Sequence, residues 1–238
     1  MRAVLFLLIL LQVGCATKYV LPGNRFMTPE SQGGMFNSQF EFQQTPGNQL
    51  TADLTDGTVD KGVTNQLISR SGFLFSTSLL DQIDLFWSHT GTSDSLLGAK
   101  FQFLGTSRTG KGTGHKMAIS AAFGGNDYEV EGESKVNFTL KGSEFQLLYG
   151  YRLSEMLLMY SNLSYSNYNF SGEVISSDPV VNGLKPRYDT KIYALYTGME
   201  LGLGPFFGKL ECGYQQLQTT DTKDVSHFIY GYSVGVTW

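Results

Sequence analysis

The stretch from His227 to Trp238 restricts the fold more than any other part of the chain. Every even position from 228 on is large and apolar: Phe228, Tyr230, Tyr232, Val234, Val236 and Trp238. The odd positions Gly231, Ser233, Gly235 and Thr237 are small, and Ile229 alone breaks the rule. Successive side chains of a strand point to opposite faces. The stretch is therefore a ribbon with one apolar face and one crowded, weakly polar face. Two surroundings suit such a ribbon. One is the core of a soluble sandwich; the other is a barrel wall whose apolar face meets lipid.

The same alternation recurs along the chain. Strands are expected over 35–43, 67–79, 83–90, 95–104, 116–124, 136–152, 156–169, 190–203, 206–218 and 227–238. Between them, 44–65, 125–135 and 170–188 read as long polar loops, whereas Asp81-Gln82, Ser154-Glu155 and Gly204-Pro205 read as tight turns. The Gly-rich connection 105–114 is an exception, being long on the side of the short turns. Within 136–152 the parity changes near Gly142. Val136, Phe138 and Leu140 share one face before it, and Phe145, Leu147, Tyr149 and Tyr151 share one after it. A bulge at the glycine is the expected cause.

Only 16% of residues are charged, aromatics reach 13%, and there are 28 glycines. Soluble domains usually carry about 25% charge. No second apolar run long enough for a helical span follows the amino terminus, for which ~20 residues are needed. The net charge of −4 argues against a nucleic-acid partner. These features together predict an all-β fold: a closed antiparallel transmembrane up-and-down β-barrel of about ten strands, with eight or twelve as the alternatives.

With these residues in view, the final strand resembles the C-terminal signal strand of bacterial outer-membrane β-barrels, which ends on an aromatic residue and is read by the barrel assembly machinery. That family usually ends in Phe, where this chain has Trp238. The resemblance implies a place in the bacterial outer membrane, with outer-membrane lipids and the assembly machinery as partners. The assembly signal would be Phe228, Tyr230, Tyr232, Val234, Val236 and Trp238. At the front, Arg2 precedes the apolar run Ala3–Leu11, the pattern of a signal peptide over 1–14. Gln12-Val13-Gly14-Cys15 resembles a lipobox, which implies lipidation of Cys15; Gln12 departs from the usual Leu. Residues 15–33, with Pro22, Gly23, Pro29 and Gly33 and no alternation, read as a periplasmic linker ahead of the barrel at 34–238. Cys212 reads as a buried thiol without a disulfide partner.

The inward set of the expected strands includes Glu41, Arg70, Asp84, Lys100, Glu144, Arg152, Glu200, Lys209 and Glu211. Buried charges persist when paired and hydrogen-bonded. A charge network that plugs a narrow lumen is therefore expected, narrowed further by Phe86, Tyr160 and Tyr196. Barrels of about eight strands are filled by side chains, and wide aqueous channels appear near sixteen, so at most a small pore is expected.

Other motifs point nowhere specific. Gly105-Thr106-Ser107-Arg108-Thr109-Gly110-Lys111-Gly112 nearly spells a phosphate loop, but Gly112 stands where a hydroxyl is needed and a strand follows. His89, His115 and His227 suggest rim chemistry only weakly. His227 has Asp221 and Asp224 nearby, and Ser226-His227 lacks an orienting acid. No cofactor, no metal site and no catalytic residue is expected. The reading is a non-enzymatic outer-membrane barrel, structural or surface-presenting. A small porin is the alternative, and a rim hydrolase or a soluble periplasmic β-sandwich lipoprotein is less favoured.

Overall fold

The structure is a computed structural model describing residues 19–21, 23–51, 64–90, 94–110, 112–130, 135–175, 182–183, 185, 187–220 and 224–238. The expected signal peptide over 1–14 and Cys15 lie outside the described residues. A short strand β1 (Tyr19–Leu21) is followed by β2 (Ser38–Thr51), β3 (Thr64–Leu80), β4 (Ile83–Thr90) and β5 (Asp94–Leu104). Next come β6 (Gly114–Val130), β7 (Lys135–Arg152), β8 (Leu157–Ile175), β9 (Arg187–Leu203), β10 (Phe206–Thr219) and β11 (Val225–Thr237). Each of β2 to β11 pairs antiparallel with the next, and β11 pairs back onto β2, so ten strands close a ring. A two-sheet sandwich is not what forms.

Alternation fixes which face looks where. Phe40, Phe42, Leu85, Trp87, Phe101, Leu147, Leu163, Leu195, Leu210, Tyr230 and Val234 point outward and are exposed. An exposed apolar exterior of this extent needs an apolar solvent, which a bilayer supplies. The belt ends sharply toward the long loops. Phe145, Tyr165 and Tyr193 lie in register across β7, β8 and β9. The next outward positions are polar: Ser143, Lys141, Asn167, Asn169, Lys191 and Asp189. An aromatic row at the boundary of an apolar band is the girdle that interfacial rings prefer.

Above that row the strands continue instead of giving way to loops. β2 runs on to Thr51, β6 to Val130 and β8 to Ile175, into stretches expected to be loop. Here the sense of the pattern inverts: the outside is polar and the inside apolar. Leu21, Leu140, Tyr168, Phe170, Tyr188, Ile192 and Leu217 form a buried cluster within the upper barrel, with Phe138 against it. This corrects the expected bulge at Gly142. β7 pairs with β6 and β8 without a register shift from residue 135 to 152. Phe138 and Leu140 face the interior of the extension, while Phe145 onward face outward; no parity change is needed. Ile229, the exception in the last strand, likewise faces inward and packs with Ala194 and Tyr196.

At the end with short turns the chain reverses at residues 33–37 before starting β2. Gly33 and Gly34 have φ of 70° and 72°, in the left-handed region that glycine enters without strain. Phe36, at φ 66°, is held in the same region by a hydrogen bond from its N–H to the Ser78 carbonyl. The seam of the ring is short. β11 pairs with β2 only from Tyr232↔Gln44 to Thr237↔Gln39. Beyond Pro46, which has no N–H to donate, the upper end of β2 pairs with β1 instead, Leu21 opposite Asn48 and Tyr19 opposite Leu50.

If the outward face meets lipid, a charge there is costly. Met199→Arg, near the middle of the belt that runs from Tyr193 to Leu203 on β9, should lower unfolding stability by about 2–4 kcal/mol in urea titrations in lipid vesicles. Asn169→Arg, above the aromatic row, should change it by no more than about 1 kcal/mol.

Candidate functional site

The interior is not filled by barrel side chains alone. Residues 23–33, expected as part of a periplasmic linker, run through the lumen from the long-loop end to the short-turn end, and all of them are buried. The expectation fails because proline and glycine in an unalternating stretch signal irregular backbone, not its location. An irregular chain is tolerated in a buried place only where its N–H and C=O groups find partners.

The barrel supplies those partners with unusual completeness. Every residue from Gly23 to Gly33 except Pro29 has a main-chain N–H or C=O bonded to a barrel side chain. Tyr196 Oη donates to the Gly23 carbonyl at 3.1 Å, Gln43 Nε2 to that of Arg25 at 3.3 Å, and Lys209 Nζ to that of Phe26 at 2.8 Å. Asn162 Nδ2 donates to the Met27 carbonyl at 2.7 Å, and Lys100 Nζ reaches the carbonyls of Thr28 and Glu30. In the other direction, the N–H of Asn24 donates to Thr45 Oγ1, and those of Arg25 and Phe26 donate to Glu211 Oε1. The N–H groups of Ser31, Gln32 and Gly33 donate to Gln102, Asp84 and Ser78.

Side chains of the segment complete the charge balance. Arg25 Nε donates to Glu144 Oε2 at 2.7 Å and its Nη2 to the Tyr168 hydroxyl at 2.7 Å. Five residues on, Glu30 takes both Nε and Nη2 of Arg152, the former at 2.6 Å, with Lys116 Nζ 3.6 Å away. The lumen therefore favours a cation toward the long loops and an anion toward the short turns.

The structure places eight of the nine sequence-derived lumen charges, Glu41, Asp84, Lys100, Glu144, Arg152, Glu200, Lys209 and Glu211, in the buried interior. Lys209 pairs with Glu41 at 2.6 Å and Lys100 with Asp84 at 3.1 Å. Arg152 also reaches Glu200 at 3.2 Å. The ninth, Arg70, shares the inward parity but is only half-buried. Phe86, Tyr160 and Tyr196 are buried inside as well. Sequence reasoning missed Lys116, although its parity with Ala118 and Ser120 was available. It missed Arg25 and Glu30 too, because no periodicity marks them.

The long connection 105–114 acquires a structural reason. Its Arg108–Gly110 turn sits beneath the segment, with the Arg108 N–H donating to the Ser31 carbonyl at 2.9 Å and that of Thr109 to the Gln32 carbonyl. Arg108 Nη2 pairs with Glu200 at 2.6 Å, and Lys116 Nζ donates to the Thr106 carbonyl at 2.8 Å. The phosphate-loop likeness thus covers a loop that braces the lower end of the segment. Lys111 lies outside the described residues.

The histidines are dispersed. His115 bonds the Tyr149 hydroxyl on the outer face, and His89 bonds Ser95 Oγ, also outward. His227 shares the inward parity of Ile229, so Ser226 and His227 face opposite ways. Asp224 accepts from Gln216 and Gln218, and Asp221 lies outside the described residues. Among the described residues no group of His, Cys, Asp and Glu could hold a metal. The outward residues of the last strand, Phe228, Tyr230, Tyr232, Val234, Val236 and Trp238, line its lipid-side face, and Trp238 exchanges main-chain hydrogen bonds with Ser38. Cys212 is half-buried and unbridged.

No family model and no curated protein matches the chain. Among solved structures it is similar to Ail, the attachment invasion locus protein of Yersinia pestis, at 11% identity and a TM-score of 0.42, over 86% of this chain and 100% of that one. It is also similar to Neisserial surface protein A, at 13% identity and a TM-score of 0.34, over 85% and 95% of the two chains. A third, the outer membrane channel DcaP of Acinetobacter baumannii, matches at 9% identity and a TM-score of 0.21, over 87% and 100%. The barrel assignment rests on the closed strand pairing, not on these likenesses.

Removing one partner of a buried pair leaves the other charge uncompensated, at a cost of about 3–5 kcal/mol. Glu30→Ala should therefore destabilise the barrel by about that amount in urea titration. Combining it with Arg152→Met should recover part of the loss, since the stranded cation is removed as well.

Proposed function

We propose that the chain is an integral outer-membrane β-barrel protein of a bacterium, delivered by the signal peptide over 1–14 and lipid-anchored at Cys15. Its lumen is shut, and its role is structural or surface-presenting, exercised on the long-loop face and not by conduction. The observation that carries this reading is the burial of residues 23–33 along the lumen with their main chain bonded to the wall. A solute would have to displace a hydrogen-bonded, charge-paired peptide to pass. The strand extensions above the aromatic row support the surface role, because they hold a polar outer surface on a rigid apolar core. Loops carried on such a scaffold are suited to recognition. The reading includes no enzymatic activity. It assigns the last strand's outward residues, ending at Trp238, to recognition by the assembly machinery.

The alternative is a small channel, favoured by the charged and polar side chains that would line the lumen if the segment left it. Planar-bilayer recordings separate the two. The intact protein should be silent, and a variant lacking residues 23–33 should show ionic steps. Steady steps from the intact protein would replace the closed reading with the channel.

A further inference from the structure

We infer that the lumen is a binding site for a threaded peptide main chain, and that residues 23–33 occupy it as a tethered ligand that an unattached peptide of like chemistry can replace. The inference rests on the lumen's geometry, whatever the protein's role on the long-loop face.

The bonding pattern points to a recognition site more than to a packed core. Most of the polar contacts go from barrel side chains to the segment's main chain. Donors at Tyr196, Gln43, Lys209, Asn162 and Lys100 meet successive carbonyls, and acceptors at Thr45, Glu211, Gln102, Asp84 and Ser78 meet N–H groups. Every peptide offers those groups, so this part of the contact is tolerant of sequence. Direction and register come from two charges. Glu144 with Tyr168 takes a cation near the long-loop end, and Arg152 with Lys116 takes an anion near the short-turn end. The two charges of the segment are five residues apart, and the main chain between them bends at Phe26, where φ is 52°. The ligand class is thus a peptide without regular secondary structure, threaded amino end toward the long loops, with a basic residue five positions before an acidic one.

A tether holds its ligand at an effective concentration of order millimolar, which hides the site from free peptide. Cutting the tether exposes it. Met35 and Phe36 lie at the reversal that joins the segment to β2, and both are exposed. A protease site placed there in the full chain converts residues 23–33 into a non-covalent occupant.

The test uses that nicked protein in detergent and a fluorescent synthetic peptide of residues 19–34. Saturable uptake with release of the native segment is expected. A peptide with the residues at 25 and 30 interchanged should compete about 100-fold more weakly or worse, since each end would then face like charge. A second arm needs no cut. Full-length protein carrying Arg25→Glu with Glu30→Arg has a weakened occupant and should take up the unaltered peptide, which the wild-type full chain should not. Failure of both proteins to take up peptide at large excess would overturn the inference, as would equal uptake of the interchanged peptide. Silence in the bilayer recordings alone leaves the closed-lumen reading intact, so the two proposals fail separately.

Discussion

The structure depends on satisfying a strand of main chain inside a cylinder. A ring of ten strands lies between the roughly eight that side chains alone fill and the roughly sixteen that leave a wide aqueous channel. Here one irregular peptide segment fills the lumen, but it brings unpaired N–H and C=O groups with it. Leaving such groups without partners costs about 1–3 kcal/mol each. The inward amides, hydroxyls, carboxylates and ammonium groups of β2–β5 and β8–β10 answer them one by one. The charges are then neutralised across the lumen. The lysines that bond carbonyls, Lys100 and Lys209, are themselves paired with Asp84 and Glu41. The same side chains thus serve as hydrogen-bond donors and as counter-ions, which is what allows so many charged groups to stay dry.

The wall divides into two zones with opposite logic. Below the row of Phe145, Tyr165 and Tyr193 the outside is apolar and the inside polar. Above it the outside is polar, and a cluster around Leu140, Tyr168 and Phe170 makes an ordinary hydrophobic core. The strands themselves pass through the boundary without interruption. Only the solvent outside changes, and side-chain polarity follows it. β7 records the change in one strand: Phe138 and Leu140 point inward, Phe145 and Leu147 outward, with no break in pairing.

That inversion explains what was legible in the sequence and what was not. The belt was legible, because alternation of Phe, Tyr and Leu with small or polar residues has period two. Thus β4, expected over 83–90, forms as Ile83–Thr90. The extensions were not, because outward Asn, Ser and Lys with inward Tyr and Val give no apolar stripe on the lipid side and resemble loop. The charge network was half legible. Parity places Asp84, Lys100 and Lys209 inside, but nothing local tells that Glu200 shares Arg152 with Glu30. The segment at 23–33 could not be placed at all. Its position is set by long-range pairing with side chains up to 187 residues away, as with Asn24 and Glu211.

The handover at Pro46 also bears on how a peptide can reach the lumen. The occupant of the lumen precedes every strand of the ring in the chain, and the ring is shut between its first and last strands. A ring paired all the way round has no lateral opening, so a peptide enters or leaves the lumen only through its two ends. The short junction of Gln39–Gln44 with Tyr232–Thr237 is the shortest pairing in that wall, and β1 covers the margin of β2 above it.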